Sequence, residues 1–149
     1  MNRHDILLYT AGIIDGEGYI SLVPFSNCNS YASVVKVCST DKRLIDFLKL
    51  NFGGFTNKRD FDNPKWKNAY YWEIKNQKPV ENFLLGIKDY LIIKKEIAEL
   101  VIERCSYTIK TLHPIYKTFS QKDKDRVTEI YKKLRSLNHR GKPLAETKR

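Results

Sequence analysis

Leu8-Tyr9-Thr10-Ala11-Gly12-Ile13-Ile14-Asp15-Gly16-Glu17-Gly18 is the stretch whose reading decides the fold of this 149-residue chain. Ile6, Leu7, Leu8, Ala11 and Ile14 recur at helical spacing, and Asn2 or Asp5 is placed to cap the start. Gly12 and Gly16 share one face of such a helix and leave it almost bare of side chains. A bare face lets another backbone approach closely. Gly16 and Gly18 are expected to end the helix, because glycine takes the left-handed cap conformation at little cost. Asp15 and Glu17 then fall at the negative end of the helix dipole, where acidic residues are disfavoured. Pairing two such helices raises the cost. A hard divalent cation such as Mg²⁺, which binds carboxylate oxygens, removes it.

Outward from that stretch, a composition of 42% hydrophobic and 30% charged residues suits one domain with its own core. The net charge of +10 points to a polyanionic partner, either nucleic acid or an anionic membrane surface. No apolar run reaches membrane-spanning length, and the N-terminus lacks the layout of a signal peptide. An intracellular protein without a membrane partner is therefore expected, in the cytoplasm or in an organelle. Cys28, Cys38 and Cys105 have no CxxC spacing, which argues against a zinc site and a disulfide framework. His4, His113 and His139 are scattered and offer no rival site. Residues 113–149 carry eleven Lys and Arg against four acids, while residues 1–112 carry sixteen against thirteen. The basic segment reads as an extension of the 1–112 domain, either touching phosphate or simply solvated.

Tyr19 to Phe25 reads as a strand with Pro24 marking an edge, Ser26 to Ser30 as a turn, and Tyr31 to Cys38 as the return strand. Val35 and Val37 are expected to face the core and Lys36 to face away. Ser39 or Thr40 caps a second helix with Asp41 in its first turn, and Gly53-Gly54 stops it. Phe55 to Phe61 and Trp66 to Lys75 form a second hairpin. Asn76 to Pro79 breaks the pattern before a short helix, Val80 to Ile87. Leu91 to Tyr107 keeps one helical period throughout. After an irregular Leu112 to Phe119, Ser120 opens an amphipathic helix carrying Val127, Ile130, Tyr131, Leu134 and Leu137, ended by Gly141 and Pro143. Helix, hairpin, helix, hairpin, helices is an α+β order, an antiparallel sheet covered on one face with the other free for a ligand.

Thr10 to Gly18 resembles the signature of the LAGLIDADG homing endonucleases, matching eight of nine positions with conservative swaps. Thr10 stands for the usual leucine, and Glu17 for a frequent aspartate. The element order over residues 5 to 107 is similar to the αββαββα core of that family. The echo of the motif in Leu85 to Tyr90 lacks the Gly-acid-Gly ending, so there is one copy and no internal repeat.

The resemblance implies a metal-dependent DNA endonuclease working as a homodimer on a long pseudo-palindromic site, with Mg²⁺ or Mn²⁺ as cofactor. Leu8, Ala11, Gly12, Asp15 and Gly16 would form the dimer interface. Glu17 and the Gly16 carbonyl would hold the metal, with Asp15 either a further ligand or structural. Lys94 matches a lysine near the scissile phosphate, while Ser39 and Arg43 match positions that order water. Lys94 also reads as a solvated lysine and Ser39 as a plain cap. The sheet would read base edges in the major groove through Ser21, Asn27, Asn29, Tyr31, Lys36, Asn57, Arg59, Lys67, Asn68, Tyr70 and Trp72. The alternative on the same scaffold is a non-cleaving protein, a DNA-binding regulator or a maturase with host intron RNA as its partner.

Overall fold

Asn2 caps the first helix, α1 (Arg3–Glu17), its side-chain oxygen accepting the Asp5 amide at 2.9 Å. In the computed structural model, which describes residues 1–24, 31–63, 65, 67–107 and 120–139, this helix buries Thr10, Ala11 and Ile14. Its end differs from the sequence expectation. Gly16 is helical, and Gly18 is extended (φ −76°, ψ 149°) and opens the first strand. Neither glycine is left-handed. Gly18 is required for a different reason: a Cβ there would lie 2.7 Å from the Ile14 Cα and carbonyl oxygen.

The strands β1 (Gly18–Pro24) and β2 (Tyr31–Ser39) pair antiparallel, from Gly18 opposite Val37 to Pro24 opposite Tyr31. Helix α2 (Lys42–Phe52) is capped by Asp41, whose carboxylate accepts the Arg43 amide, rather than by Ser39 or Thr40. Ser39 serves one step earlier, its hydroxyl accepting the Asp41 amide at 3.0 Å. Gly53 and Gly54 stop α2 with φ of 71° and 81°, conformations that side chains rarely adopt. The second hairpin, β3 (Phe55–Arg59) and β4 (Ala69–Lys75), is shorter than the composition suggests. The sheet order is β1-β2-β4-β3, antiparallel throughout.

Helix α3 (Gln77–Ile87) begins before the expected Val80. Its first turn includes Pro79, where an amide has no helical partner to lose. A 3-10 turn (Lys88–Tyr90) and an extended Leu91 separate it from α4 (Lys95–Ser106), so the continuous helix expected from Leu91 is interrupted. Helix α5 (Gln121–Asn138) starts at Ser120, whose hydroxyl accepts the Asp123 amide. The expected irregular stretch before Ser120 and the Gly141-Pro143 stop lie outside the described residues.

All five helices cover one face of the sheet. Ile20, Leu22, Val35, Val37, Trp72 and Ile74 meet Ala11, Ile14, Leu48, Leu84, Val101, Ile130 and Leu134 in one cluster. Val35 and Val37 face this core as expected, and Lys36 points the other way. Helix α5 is part of the cluster and not a solvated appendage. Its Arg126 and Lys133 bind Glu103 and Glu96 of α4 at 2.7 Å each, and Tyr131 stacks on Tyr31. Asn138 donates to the Ile20 carbonyl at 3.0 Å, which occupies an acceptor on the edge strand β1.

Leu134 is fully buried in this cluster. Leu134→Ala should cost about 2–5 kcal/mol in urea unfolding, against about 0.5 kcal/mol for a helix that merely floats.

Candidate functional site

The end of α1 carries the dipole problem seen in the sequence, and the chain solves most of it internally. The Asp15 carboxylate accepts the amides of Ile92 at 2.7 Å and Lys94 at 2.9 Å. Lys94, 7% exposed as a residue, donates its ammonium to the carbonyls of Ile14 at 2.8 Å and Asp15 at 2.7 Å. A cation thus sits where the helix dipole is negative, and the second carboxylate of the pair is consumed as a cap. Of the two roles left open for Asp15, further ligand or structural, these bonds show the structural one. Its oxygens are directed at its own chain.

Glu17 is different. It ends α1 exposed, with no hydrogen bond or ion pair to the described residues. Gly16 beside it is exposed too, and a Cβ on Gly12 or Gly16 would meet nothing within 4 Å. Leu8 and Tyr9 complete this bare stripe. Ala11 does not belong to it: at 1% exposure it is core, which removes it from the expected interface. Ile92 and Ile93, 87% and 74% exposed, flank the stripe on the side to which Asp15 is bonded. Among the described residues no three His, Cys, Asp or Glu side chains cluster as a metal site. One chain therefore offers a single uncommitted carboxylate at this point.

Ser39 and Arg43 lie together, lining a hollow of about 450 Å³ with Tyr9, Asp41, Leu44 and Phe47. Ser39 follows the Gly18–Val37 pair by two residues and so sits at the end of the sheet nearest Glu17. The exposed Arg43 guanidinium clasps Asp41 at 2.6 Å and lowers that carboxyl to about 2. Asp41 and Tyr9 are members of this group that sequence reading missed, since nothing local announces a contact between α1 and α2.

The strand register decides which side chains face away from the helices. Tyr19, Ser21 and Val23 of β1, Lys36 and Cys38 of β2, Phe55, Asn57 and Arg59 of β3, and Tyr71, Glu73 and Lys75 of β4 share the open face. Trp72 is the reverse of the expectation. It is fully buried, donates its indole N–H to the Gly53 carbonyl at 2.8 Å, and belongs to the core. Tyr70 shares its side of β4, and Tyr31 packs on Tyr131, so both also leave the open face. Ser21 lies on the open side but is buried. Asn57, Arg59, Lys67 and Asn68 are exposed on β3 and the connection to β4, while Asn27 and Asn29 lie outside the described residues. Glu73, Tyr71, Lys75 and Phe55 were missed. Period-two alternation finds them only once the face of one β4 residue is known.

Charge on this face is partly paired, with Lys36, Lys75 and Arg59 set against Glu73. Glu73 binds Lys36 at 3.2 Å and Lys75 at 2.8 Å. Burial pushes its carboxyl up, but hydrogen bonds from Lys75 and Lys36 outweigh that and hold it below the ordinary value.

No family model matches the chain, and no curated protein matches it in sequence. Solved structures do match in fold. The homing endonuclease I-CvuI, in complex with its target in the presence of Ca, superposes with a TM-score of 0.69 at 19% identity, covering 95% of this chain and 87% of that one. The archaeal intron-encoded homing endonuclease I-Vdi141I, complexed with DNA, gives 0.72 at 17% identity over 97% and 91% of the two chains. The LAGLIDADG homing endonuclease I-GzeII, in complex with its DNA target, gives 0.61 at 18% identity, covering 87% of this chain but 43% of that one. The fold is that of the LAGLIDADG homing endonucleases.

A carboxyl whose folded value is lowered stabilises the fold above its unfolded value of 4.5 and loses that contribution as pH falls through the lowered value. Glu73→Gln should therefore be destabilising at pH 7, and the gap to the parent in urea unfolding should close as pH drops below 4.5.

Proposed function

We propose that this chain acts as a homodimeric, site-specific double-strand DNA endonuclease that hydrolyses phosphodiesters with a divalent metal. The observation that carries the proposal is Glu17, an exposed carboxylate left uncommitted at the end of a helix whose neighbouring face is bare. Asp15 and Lys94, the other two charged side chains of that turn and the segment bonded to it, are engaged by the chain itself.

The donor chemistry fits a hard cation. The Glu17 carboxylate and the Gly16 carbonyl would hold Mg²⁺ or Mn²⁺, both of which favour oxygen ligands. When bound, such an ion supplies a hydroxide at neutral pH and stabilises charge on the leaving oxygen. One chain contributes too few donors, so a second copy and the substrate phosphates are needed to complete the shell. The stripe of Leu8, Tyr9, Gly12 and Gly16, flanked by Ile92 and Ile93, supports close pairing about a two-fold axis. The match to less than half of I-GzeII supports the same view, that two copies of this unit make one working nuclease.

The net charge of +10 supplies attraction to DNA, and the open face supplies discrimination. Arg59 and Asn57 suit guanine and adenine edges in the major groove. Tyr71, Phe55 and Val23 add apolar area where thymine methyls lie. Ser39, Arg43 and Asp41 sit near the end of the sheet that Glu17 occupies, where they would order water around the cut.

A duplex selection with Mg²⁺ should yield a pseudo-palindromic site that the protein linearises. Glu17→Gln should keep duplex affinity in gel shifts with Ca²⁺ and lose at least about 100-fold in cutting rate. Retardation without cutting by the parent protein would instead mark a non-cleaving regulator. Gly12→Leu should leave a folded chain, because a Cβ there would meet none of the described residues within 4 Å, yet shift the solution mass from dimer to monomer in sedimentation and abolish cutting.

A further inference from the structure

Tyr19, Lys36, Glu73 and Phe55 form one row across the four strands of the open face, each paired in register with the next. In that row a carboxylate stands between two ammonium groups. One Glu73 oxygen meets Lys36 at 3.2 Å, and the other meets Lys75 at 2.8 Å. The three side chains line a hollow of about 570 Å³ together with Phe55, Asn57 and Tyr71. Each ammonium has three hydrogens and spends one on Glu73, so both keep donors for a ligand.

An ionised carboxylate has no hydrogen to give. Against the major groove it can therefore be met only by an amino group, N6 of adenine or N4 of cytosine. What lies beside that amino group decides between them. Adenine N6 has an acceptor on each side, its own N7 and the O4 of the paired thymine. Cytosine N4 has one, the O6 of the paired guanine, and on its other side a C5–H that takes no hydrogen bond. Lys36 and Lys75, one on each oxygen of Glu73, satisfy the first pattern at both neighbours and the second at only one. The spacing agrees, because N6 to O4 is itself a base-pair hydrogen bond of about 2.7–3.2 Å, the range of both ion pairs.

We infer that Lys36, Glu73 and Lys75 act as one reading unit that selects an A·T or T·A base pair over G·C at one position of each half-site. The inference rests on the nuclease proposal only in that this face meets the major groove of a duplex, and it does not require cutting. Donor, acceptor, donor is a symmetric pattern, so its hydrogen bonds take A·T and T·A alike. The register sets the unit toward the centre of the whole site: Lys36 is next to Val37, whose partner Gly18 follows Glu17. The base pair it reads therefore lies in the inner half of each half-site.

A randomised duplex library retained on the full chain in Ca²⁺ tests this without cutting. The parent should enrich A·T and T·A together about tenfold over G·C at one symmetric pair of inner positions. Glu73→Ala removes the acceptor and leaves two donors, which suit N7 and O6 of guanine, so enrichment at that pair of positions should turn to G·C and stay unchanged elsewhere. Lys75→Met keeps the stem and leaves one donor beside the acceptor, a pattern that both kinds of base pair meet. The preference should then fall to within about threefold. If Glu73→Ala does not fold, Lys75→Met alone decides. Variants that select the same bases as the parent, or that weaken retention equally at all positions, overturn the assignment, as does a parent that enriches G·C where the variants differ from it. A library from which no duplex is retained overturns it together with the nuclease proposal. A selected site that the parent holds but does not cut in Mg²⁺ defeats the nuclease proposal alone, and the bases selected still decide the reading unit.

Discussion

The carbonyl end of α1 is the constraint from which the site is built. A helix that finishes on Asp15-Gly16-Glu17 has two negative side chains where its own dipole is already negative. The chain relieves this by turning one acid into a cap for the 91–94 segment and by burying a lysine on the exposed carbonyls. The same bonds interrupt a segment whose periodicity alone favours an unbroken helix from Leu91, because extending Leu91 presents the amides of Ile92 and Lys94 to Asp15. Relief is incomplete, because the Glu17 carboxylate stays exposed at the same helix end.

Charge is distributed unevenly between the open sheet and the region beyond residue 112. Most of the excess positive charge lies beyond residue 112, and the described part of that region is a helix packed on the core whose cations partly pair with α4 acids. On the open sheet, Lys36 and Lys75 share Glu73, so that face is not a plain cationic surface. The pairing also fixes the directions of both lysines, which a solvated lysine lacks.

Much of the architecture was legible because it follows from local periods. The α1 pattern, its glycine stripe, the Gly53-Gly54 stop and the αββαββα order all come from spacing and from the few residues that tolerate special backbone. Three consecutive aromatics, Tyr70-Tyr71-Trp72, defeated the same logic. All are suited to a strand and none marks its side, so the choice fell to a bond 19 residues away, from the Trp72 indole to the Gly53 carbonyl. With that bond, Trp72 goes inward and Tyr71, Glu73 and Lys75 go outward. Pro79 looked like a break because proline ends helices from within, whereas in a first turn it costs nothing. The roles of Asp15 and Lys94 were out of reach for a simpler reason: each looks ordinary until the other is placed beside it.

The two sides of α1 are under opposite demands. One side must be apolar and shaped, because Ala11 and Ile14 fill the core beneath the sheet. The other must be as flat as a backbone allows, and Gly12 and Gly16 make it so although glycine weakens a helix by about 1 kcal/mol per position relative to alanine. Among the described residues nothing lies within 4 Å of where a Cβ on either glycine would stand. In the dimer proposed above, that open space takes a second copy of the helix. Close packing of the two bare faces there has to outweigh the repulsion between two Glu17 carboxylates, which a shared cation would relieve.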